Sequence, residues 1–362
     1  MSALLGILFH AIGGFAAGSF YIPLKQVRNW AWESSWLVNG VAAWMLLPLI
    51  VALLTVPGVL AVLETALTEL QDAAGYTFLF GLLWGVGGLT FGLSIRYLGV
   101  ALGTTIALGC CAAFGTLVPP LIEGQLLETI CGGGGRTVLA GLAVCFLGIA
   151  VGGVAGRRRE VLAAATPATS DVSGDDDVAG AMPQGTNVSA GLIVAVTAGL
   201  LSACFAFGLA AGGPIAALSV ARGTQPLFQS SAVLVLLLWG GFLTNAAWCL
   251  YMNAQNRSFK DYTSSGSPTT SLPANYGWAA LAGSIWYFQF MFYGMGSSYL
   301  GAGFEFASWS IHMAFIIFFS NAWGLYFREW AGVDAGTKRL LYLSLSLLLI
   351  SVMLIGIGGS EG

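Results

Sequence analysis

Apolar windows of about 20 residues, each long enough to cross a hydrocarbon core as a helix, recur along this chain. Ten can be marked: 3–24, 35–56, 75–95, 99–121, 137–155, 189–211, 228–251, 277–297, 304–326 and 339–358. They decide what the chain can fold into, because backbone polar groups in lipid must be satisfied internally. The predicted fold class is an all-α integral membrane protein with ten transmembrane helices. Composition agrees, since 8% of the 362 residues are charged and 57% hydrophobic, against roughly 25% charged in a soluble domain. The 51 Gly and 12 Trp suit close helix contacts and membrane interfaces. No basic segment precedes the first window, which therefore reads as a span and not a cleaved signal.

Orientation follows from Lys and Arg, which favour the cytoplasmic loops. The loops after the odd-numbered spans hold 11 of the 13 basic residues, among them Lys25, Arg28, Arg96, Arg157, Arg158 and Arg159. The opposite side holds Arg136 and Arg222. Odd loops are expected in the cytoplasm and both termini outside. Residues 156–188 mix Arg, Asp, Ser, Thr, Gly and Pro without apolar periodicity, and predict a disordered cytoplasmic linker. The Asn187 sequon would face the cytoplasm and is discounted. Residues 252–276, rich in Ser, Thr and Asn, predict a second flexible loop.

The halves echo each other. A shift of 202 lays Gly81–Gly99 on Gly283–Gly301, matching Gly81, Trp84, Gly92, Tyr97, Leu98 and Gly99 with Gly283, Trp286, Gly294, Tyr299, Leu300 and Gly301. A weaker echo at 185 pairs Gly14–Phe20 with Gly199–Phe205. The expected organisation is a five-helix repeat over 1–155, the linker, and a second five-helix repeat over 189–362. Five spans is an odd number, so the second repeat enters the membrane inverted, as in many secondary transporters. A purely structural duplication is the plain alternative.

Enzyme chemistry finds no purchase. GxSxG, HExxH and Walker A motifs are absent, and the Gly132–Gly135 run reads as an outer turn. The six Cys lie scattered without metal spacing, and no basic patch of nucleic-acid type exists. The chain is read as no enzyme, needing no cofactor or metal and no nucleic-acid partner.

Few side chains within the spans can ionise, and such residues are costly in hydrocarbon unless they face a cavity or a partner. The stretch GFEFASWSIHMAF places Glu305 and His312 seven residues, or two turns, apart on one helix face. Glu305 is the first candidate proton carrier, since desolvation would bring its titration towards the working range. An outer-mouth position is its bland alternative. His312 and His10 are further proton-coupling candidates, with an interhelical hydrogen bond as the alternative for each. Trp84, Trp286, Tyr287, Gln289 and Trp309 suit a sugar site, where flat rings cover a pyranose face and amides meet its hydroxyls. Ordinary packing must account for most of the Trp.

The segments FYIPLKQVRNWAWESSW (Phe20–Trp36), WGVGGLTFGLSIRYLGVALG (Trp84–Gly103), IWYFQFMFYG (Ile285–Gly294) and FEFASWSIHMAF resemble the bacterial L-rhamnose–proton symporter family, within the drug/metabolite transporter superfamily. The resemblance implies ten helices in inverted repeats and uptake of L-rhamnose, a 6-deoxyhexose, with H⁺ across a bacterial inner membrane. Carried over by position, His10, Lys25, Trp32, Glu33, Trp84, Arg96, Tyr97, Trp286, Gln289, Trp309 and His312 match the family pattern. Lys25, Glu33 and Arg96 fall at cytoplasmic ends and are assigned to gating. Glu305 stands where the family carries Asp, and Gly88 where it carries Asn. The long linker and the extended 252–276 loop also depart from the family. Two other readings stay open, an exporter of the same superfamily and a membrane sensor that binds without transport. Exporters of lipophilic cations favour a carboxylate deep in the first span, where this chain has His10.

Overall fold

The computed structural model describes residues 2–122, 124, 134–165, 188–264, 271–300 and 305–361. Among these every regular element is helical and no strand occurs. The helices are α1 (Ser2–Ser19), α2 (Tyr21–Leu24), α3 (Trp32–Gly40), α4 (Leu47–Thr55), α5 (Val59–Thr68), α6 (Gln71–Leu98) and α7 (Val100–Ile122). They continue as α8 (Gly135–Ala165), α9 (Val188–Ala211), α10 (Gly213–Ala221), α11 (Ser231–Asn256), α12 (Leu272–Ser297), α13 (Glu305–Tyr326) and α14 (Ala335–Glu361). A π-helical turn, Val41–Leu46, joins α3 to α4.

Eight helical segments among the described residues are long and apolar enough to cross a membrane, so the chain is a multi-pass membrane protein. The predicted windows outside that set are 277–297 and 304–326, carried on α12 and α13. Their 26 and 22 residues reach about 39 and 33 Å at 1.5 Å per residue, so length is sufficient. Their hydropathy falls because they carry Trp286, Tyr287 and Gln289, and Ser308, His312 and Asn321. These are the helices on which most of the candidate site was read.

The chain forms two compact units, one of residues 1–86 with 204–300 and one of residues 87–203 with 301–362. Each draws on both sequence halves, and two of the three boundaries fall inside α6 and α9, the third between α12 and α13.

In the first unit α1 lies antiparallel against α12, and α3 with its π-helical turn packs on α11 and α12. Gly81 of α6 lies directly against the Leu237 carbonyl of α11, a closeness that no Cβ permits. Beside it Thr244 Oγ1 donates to the Leu82 carbonyl at 3.1 Å. The short helices α5 and α10 pack through a buried apolar cluster of Val56, Val59, Val62 and Ala66 with Ile215 and Val233. Arg222 Nη2 donates to Thr65 Oγ1 there at 2.8 Å.

The predicted flexible loop 252–276 is corrected by the structure. Helix α11 continues to Asn256, a 3₁₀ turn occupies Ser258–Tyr262 and α12 begins at Leu272. Four of its polar residues, Asn253, Ser258, Asp261 and Asn275, are buried. Asn275 holds Arg28 by a backbone pair, donating to its carbonyl at 2.9 Å and accepting from its N–H at 3.2 Å. Residues 265–270 lie outside the described residues.

In the second unit α8 and α14 run antiparallel. Gly141, Gly148 and Gly152 of α8 face Ile355, Leu348 and Ser344, and Ser344 Oγ donates to the Gly148 carbonyl at 2.8 Å. Helix α8 continues beyond residue 155 through Arg157, Arg158 and Arg159 to Ala165, so the start of the expected linker is helical. Arg159 lies 3.6 Å from Glu329 Oε2 and 5.2 Å over the Trp330 ring. Glu160 Oε1 accepts from the Ala101 N–H at 2.6 Å, placing a carboxylate at the α7 N-terminus. The rest of the expected linker (166–187), with Asn187, and Gly132 and Gly133 lie outside the described residues. No disulfide joins the cysteines among the described residues.

Candidate functional site

In the first unit the rings of Trp286, Trp84 and His10 belong to one aromatic chain. Trp286 stacks on Phe20 at 4.3 Å between centroids and meets Trp36 at 5.0 Å and Trp44 at 4.9 Å. Trp44 stands edge-on to Trp84 at 5.7 Å, and Trp84 to Phe290 at 5.5 Å and Phe205 at 5.4 Å. Phe205 reaches Tyr293 at 6.4 Å, and Tyr293 reaches His10 at 5.4 Å. Trp84 and Trp286 stay partly exposed, whereas Tyr287, Gln289 and His10 are buried. Gly241 of α11 makes room for Trp84, because a Cβ there would stand 2.5 Å from the indole.

His10 owes its position to Gly296. A Cβ at Gly296 would lie 2.8 Å from His10 Nε2 and 2.9 Å from the Gly6 carbonyl. Phe9 stacks on Phe292 and Tyr299 beside it, so α1 and α12 interlock through aromatic faces.

Glu33 opens α3 and is buried. Its Oε1 accepts from Ser258 Oγ at 2.7 Å and from Asn256 Nδ2 at 2.9 Å. Ser34 Oγ lies 3.0 Å from Asn253 Oδ1 and 2.9 Å from Asp261 Oδ2, which also accepts from the Ala31 N–H at 2.8 Å. Burial pushes the Tyr262 phenol up, against hydrogen bonds from Asn253 and Ser34 that draw it down. Glu33 is thus the hub of a network tying the start of α3 to the 3₁₀ turn. Lys25 is exposed just after α2. Arg96 belongs to the second unit, exposed in the last turn of α6.

Trp309 and His312 also belong to the second unit, on α13. Trp309 Nε1 donates to the Cys111 carbonyl at 3.0 Å, and its ring seats on Gly115 of α7. One residue on, Ser310 and Thr116 hydroxyls meet at 2.7 Å. Trp309 is therefore engaged in helix packing. His312 is buried three residues further along α13. Glu305 begins that helix, and its side chain lies outside the described residues.

The structure gathers His10, Trp84, Trp286, Tyr287 and Gln289 in one unit, and Trp309 and His312 in the other. Sequence reasoning missed Trp36 and Trp44, which complete the nest around Trp286. A signal existed in Trp36, Gly40 and Trp44 at four-residue intervals, a helical stripe with its gap at Gly40.

A family model for the L-rhamnose-proton symport protein matches residues 1–361. The chain belongs to the L-rhamnose-proton symport protein family. A protein of Cronobacter sakazakii named L-rhamnose-proton symporter is 33% identical over 358 residues, 98% of this chain and 97% of that one. Proteins of the same name from Salmonella paratyphi B and Salmonella newport are each 32% identical over 357 residues, with the same coverage. The membrane architecture and the family's transport role agree.

Proposed function

We propose that this protein carries a 6-deoxyhexose, L-rhamnose first among them, with a proton into the cell across the bacterial inner membrane. The observation that carries the reading is the family match over residues 1–361, joined by relatives named L-rhamnose-proton symporter across 98% of the chain.

Within the drug/metabolite transporter superfamily the architecture is ten spans in two inverted repeats, with α12 and α13 as the eighth and ninth. Repeat-equivalent contacts support it. Gly6 packs on Tyr299 and Leu300, and Gly191 packs on Tyr97 and Leu98. The shifts of 185 and 202 carry the first set onto the second. Gly81 of α6 meets α11, while its counterpart Gly283 of α12 meets α3. Alternating access then follows from two equivalent gates, with both termini periplasmic.

Trp84 and Trp286 supply ring faces for the sugar, and Tyr287 and Gln289 its polar partners. Glu305, His312 and His10 carry the proton step, and Trp309 holds α13 on α7 beside it. Lys25, Glu33 and Arg96 act at the cytoplasmic ends. A second reading, transport of another sugar, is favoured by open space around Gly88, where a Cβ would meet nothing within 4 Å.

Labelled L-rhamnose and a panel of sugars, offered to proteoliposomes under an imposed pH gradient, test both readings. Gradient-dependent L-rhamnose uptake is expected. Uptake of a different sugar alone selects the second reading, and no gradient-dependent sugar uptake sinks both. In the same vesicles Glu305→Gln should abolish proton-driven accumulation and spare sugar counterflow, while unchanged accumulation removes Glu305 from the mechanism.

A further inference from the structure

Behind the partly exposed face of Trp286 lie hydrogen-bonding groups that the fold leaves unsatisfied. Asn39 in α3 is fully buried, and neither its amide oxygen nor its amide nitrogen has a hydrogen-bond partner among the described residues. Because both atoms are unpaired, flipping the amide does not alter the finding. Trp44 Nε1 in the π-helical turn and the Tyr287 hydroxyl in α12 are likewise buried and unpartnered. The great majority of buried side-chain polar atoms are paired, and each exception calls for a reason.

These groups share one neighbourhood. Gly283 of α12 sits against the backbone carbonyl of Asn39 and the Ala42 side chain. Tyr287 follows Gly283 by one turn and so projects from the same face. Trp44 lies 4.9 Å from the ring of Trp286, the residue before Tyr287. The set is uncharged and mixed, with an amide that donates and accepts, a hydroxyl that does either and an indole that only donates. A carboxylate or ammonium ligand would find no countercharge among these three side chains. A neutral polyhydroxylated ring would find both kinds of partner beside an aromatic platform. The π-helical turn adds a second pointer, since such turns are frequent at functional sites.

We propose that Asn39, Trp44 and Tyr287 form a hydroxyl-binding subsite, completed when sugar hydroxyls reach the seam between α3 and α12. The inference rests on the sugar-transport reading and adds Asn39 and Trp44 to the binding residues. Asn39→Leu removes two unpaired atoms at similar volume, so the sugar-free protein melts at an equal or higher temperature. The same change weakens sugar binding, as do Trp44→Phe and Tyr287→Phe, which delete one donor each and keep the ring. About tenfold loss of affinity per hydrogen bond is expected.

The test is equilibrium binding of tritiated L-rhamnose to the purified full-length protein in detergent, with melting temperatures measured with and without sugar. Support consists of weaker binding in all three variants, with no loss of sugar-free stability in Asn39→Leu. Wild-type affinity in the three variants overturns the subsite while the transport reading stands, and would mean that fixed internal water completes these groups. Lower sugar-free stability in Asn39→Leu overturns it as well, by assigning the amide a structural partner. A wild type that binds no sugar overturns both.

Discussion

A single hydrogen atom at Gly296 decides whether α1 can carry a histidine at its contact with α12. Ala at this position would bring a methyl to 2.8 Å from His10 Nε2 and 2.9 Å from the Gly6 carbonyl. Neither neighbour yields easily, since one belongs to a buried ring and the other to helix backbone. Overpacking of this kind typically costs about 1–3 kcal/mol. Gly296→Ala should therefore lower the melting temperature of the detergent-solubilised protein and reduce L-rhamnose uptake. Gly277→Ala on the same helix serves as control, because a Cβ there meets nothing within 4 Å. Equal melting of the two variants would refute the packing argument. The glycine was not legible as a functional position. It falls outside the matched repeat glycines, and only the partner helix shows what its missing side chain makes room for.

At the scale of elements, the connection between α11 and α12 acts as a brace. Ser258 donates to the Glu33 carboxyl at 2.7 Å, and Asp261 in the same turn accepts from the Ala31 N–H just before α3. Hydrogen bonds to charged groups contribute roughly 1.5–3 kcal/mol each, so Ser258→Ala should cost on that order. Hydrogen exchange in the Ser258–Tyr262 turn should quicken in this variant before exchange in α11 changes. Unaltered protection of the turn would show that Glu33 does not hold it. This brace illustrates what sequence alone can carry. Spans were legible because apolar length is a local property, and α1, α6, α7, α8 and α14 stand close to where the windows put them. Residues 252–276 were misread because Ser and Asn give the same composition whether they meet solvent or a buried carboxylate. The nest around Trp286 was half seen, since the four-residue spacing of Trp36, Gly40 and Trp44 marks a helical stripe without saying which helix it meets. The contacts that distinguish them come from helices far apart in sequence.

At the scale of the whole molecule, transport has to be an energetic bargain between a neutral sugar and a proton. Each compact unit mixes segments from both sequence halves, and the candidate sugar rings and the α13 histidine fall in different units. Mutation can uncouple sugar movement from proton movement, yet their thermodynamics must close in the intact protein. One proton crossing with a neutral sugar moves one charge, worth about 2.3 kcal/mol per 100 mV. One pH unit adds about 1.4 kcal/mol. At one tenfold per 1.4 kcal/mol, a 100 mV potential alone should sustain roughly 50-fold accumulation. A one-unit pH gradient alone should sustain about tenfold, and the two together several hundredfold. Proteoliposomes clamped with a potassium diffusion potential at fixed internal and external pH give these ratios directly from labelled L-rhamnose at steady state. A ratio that follows the pH gradient but ignores the potential would mean no net charge moves, ruling out one-proton symport of a neutral sugar. A ratio rising as the square of both predictions would mean two protons per sugar. Because α12 and α13 carry the polar residues that lower their hydropathy, variants at Trp286 should lose binding with coupling intact. Variants at His312 should lose the potential dependence while sugar still exchanges across the membrane, and potential-driven accumulation at the wild-type ratio in those variants would remove His312 from the coupling step.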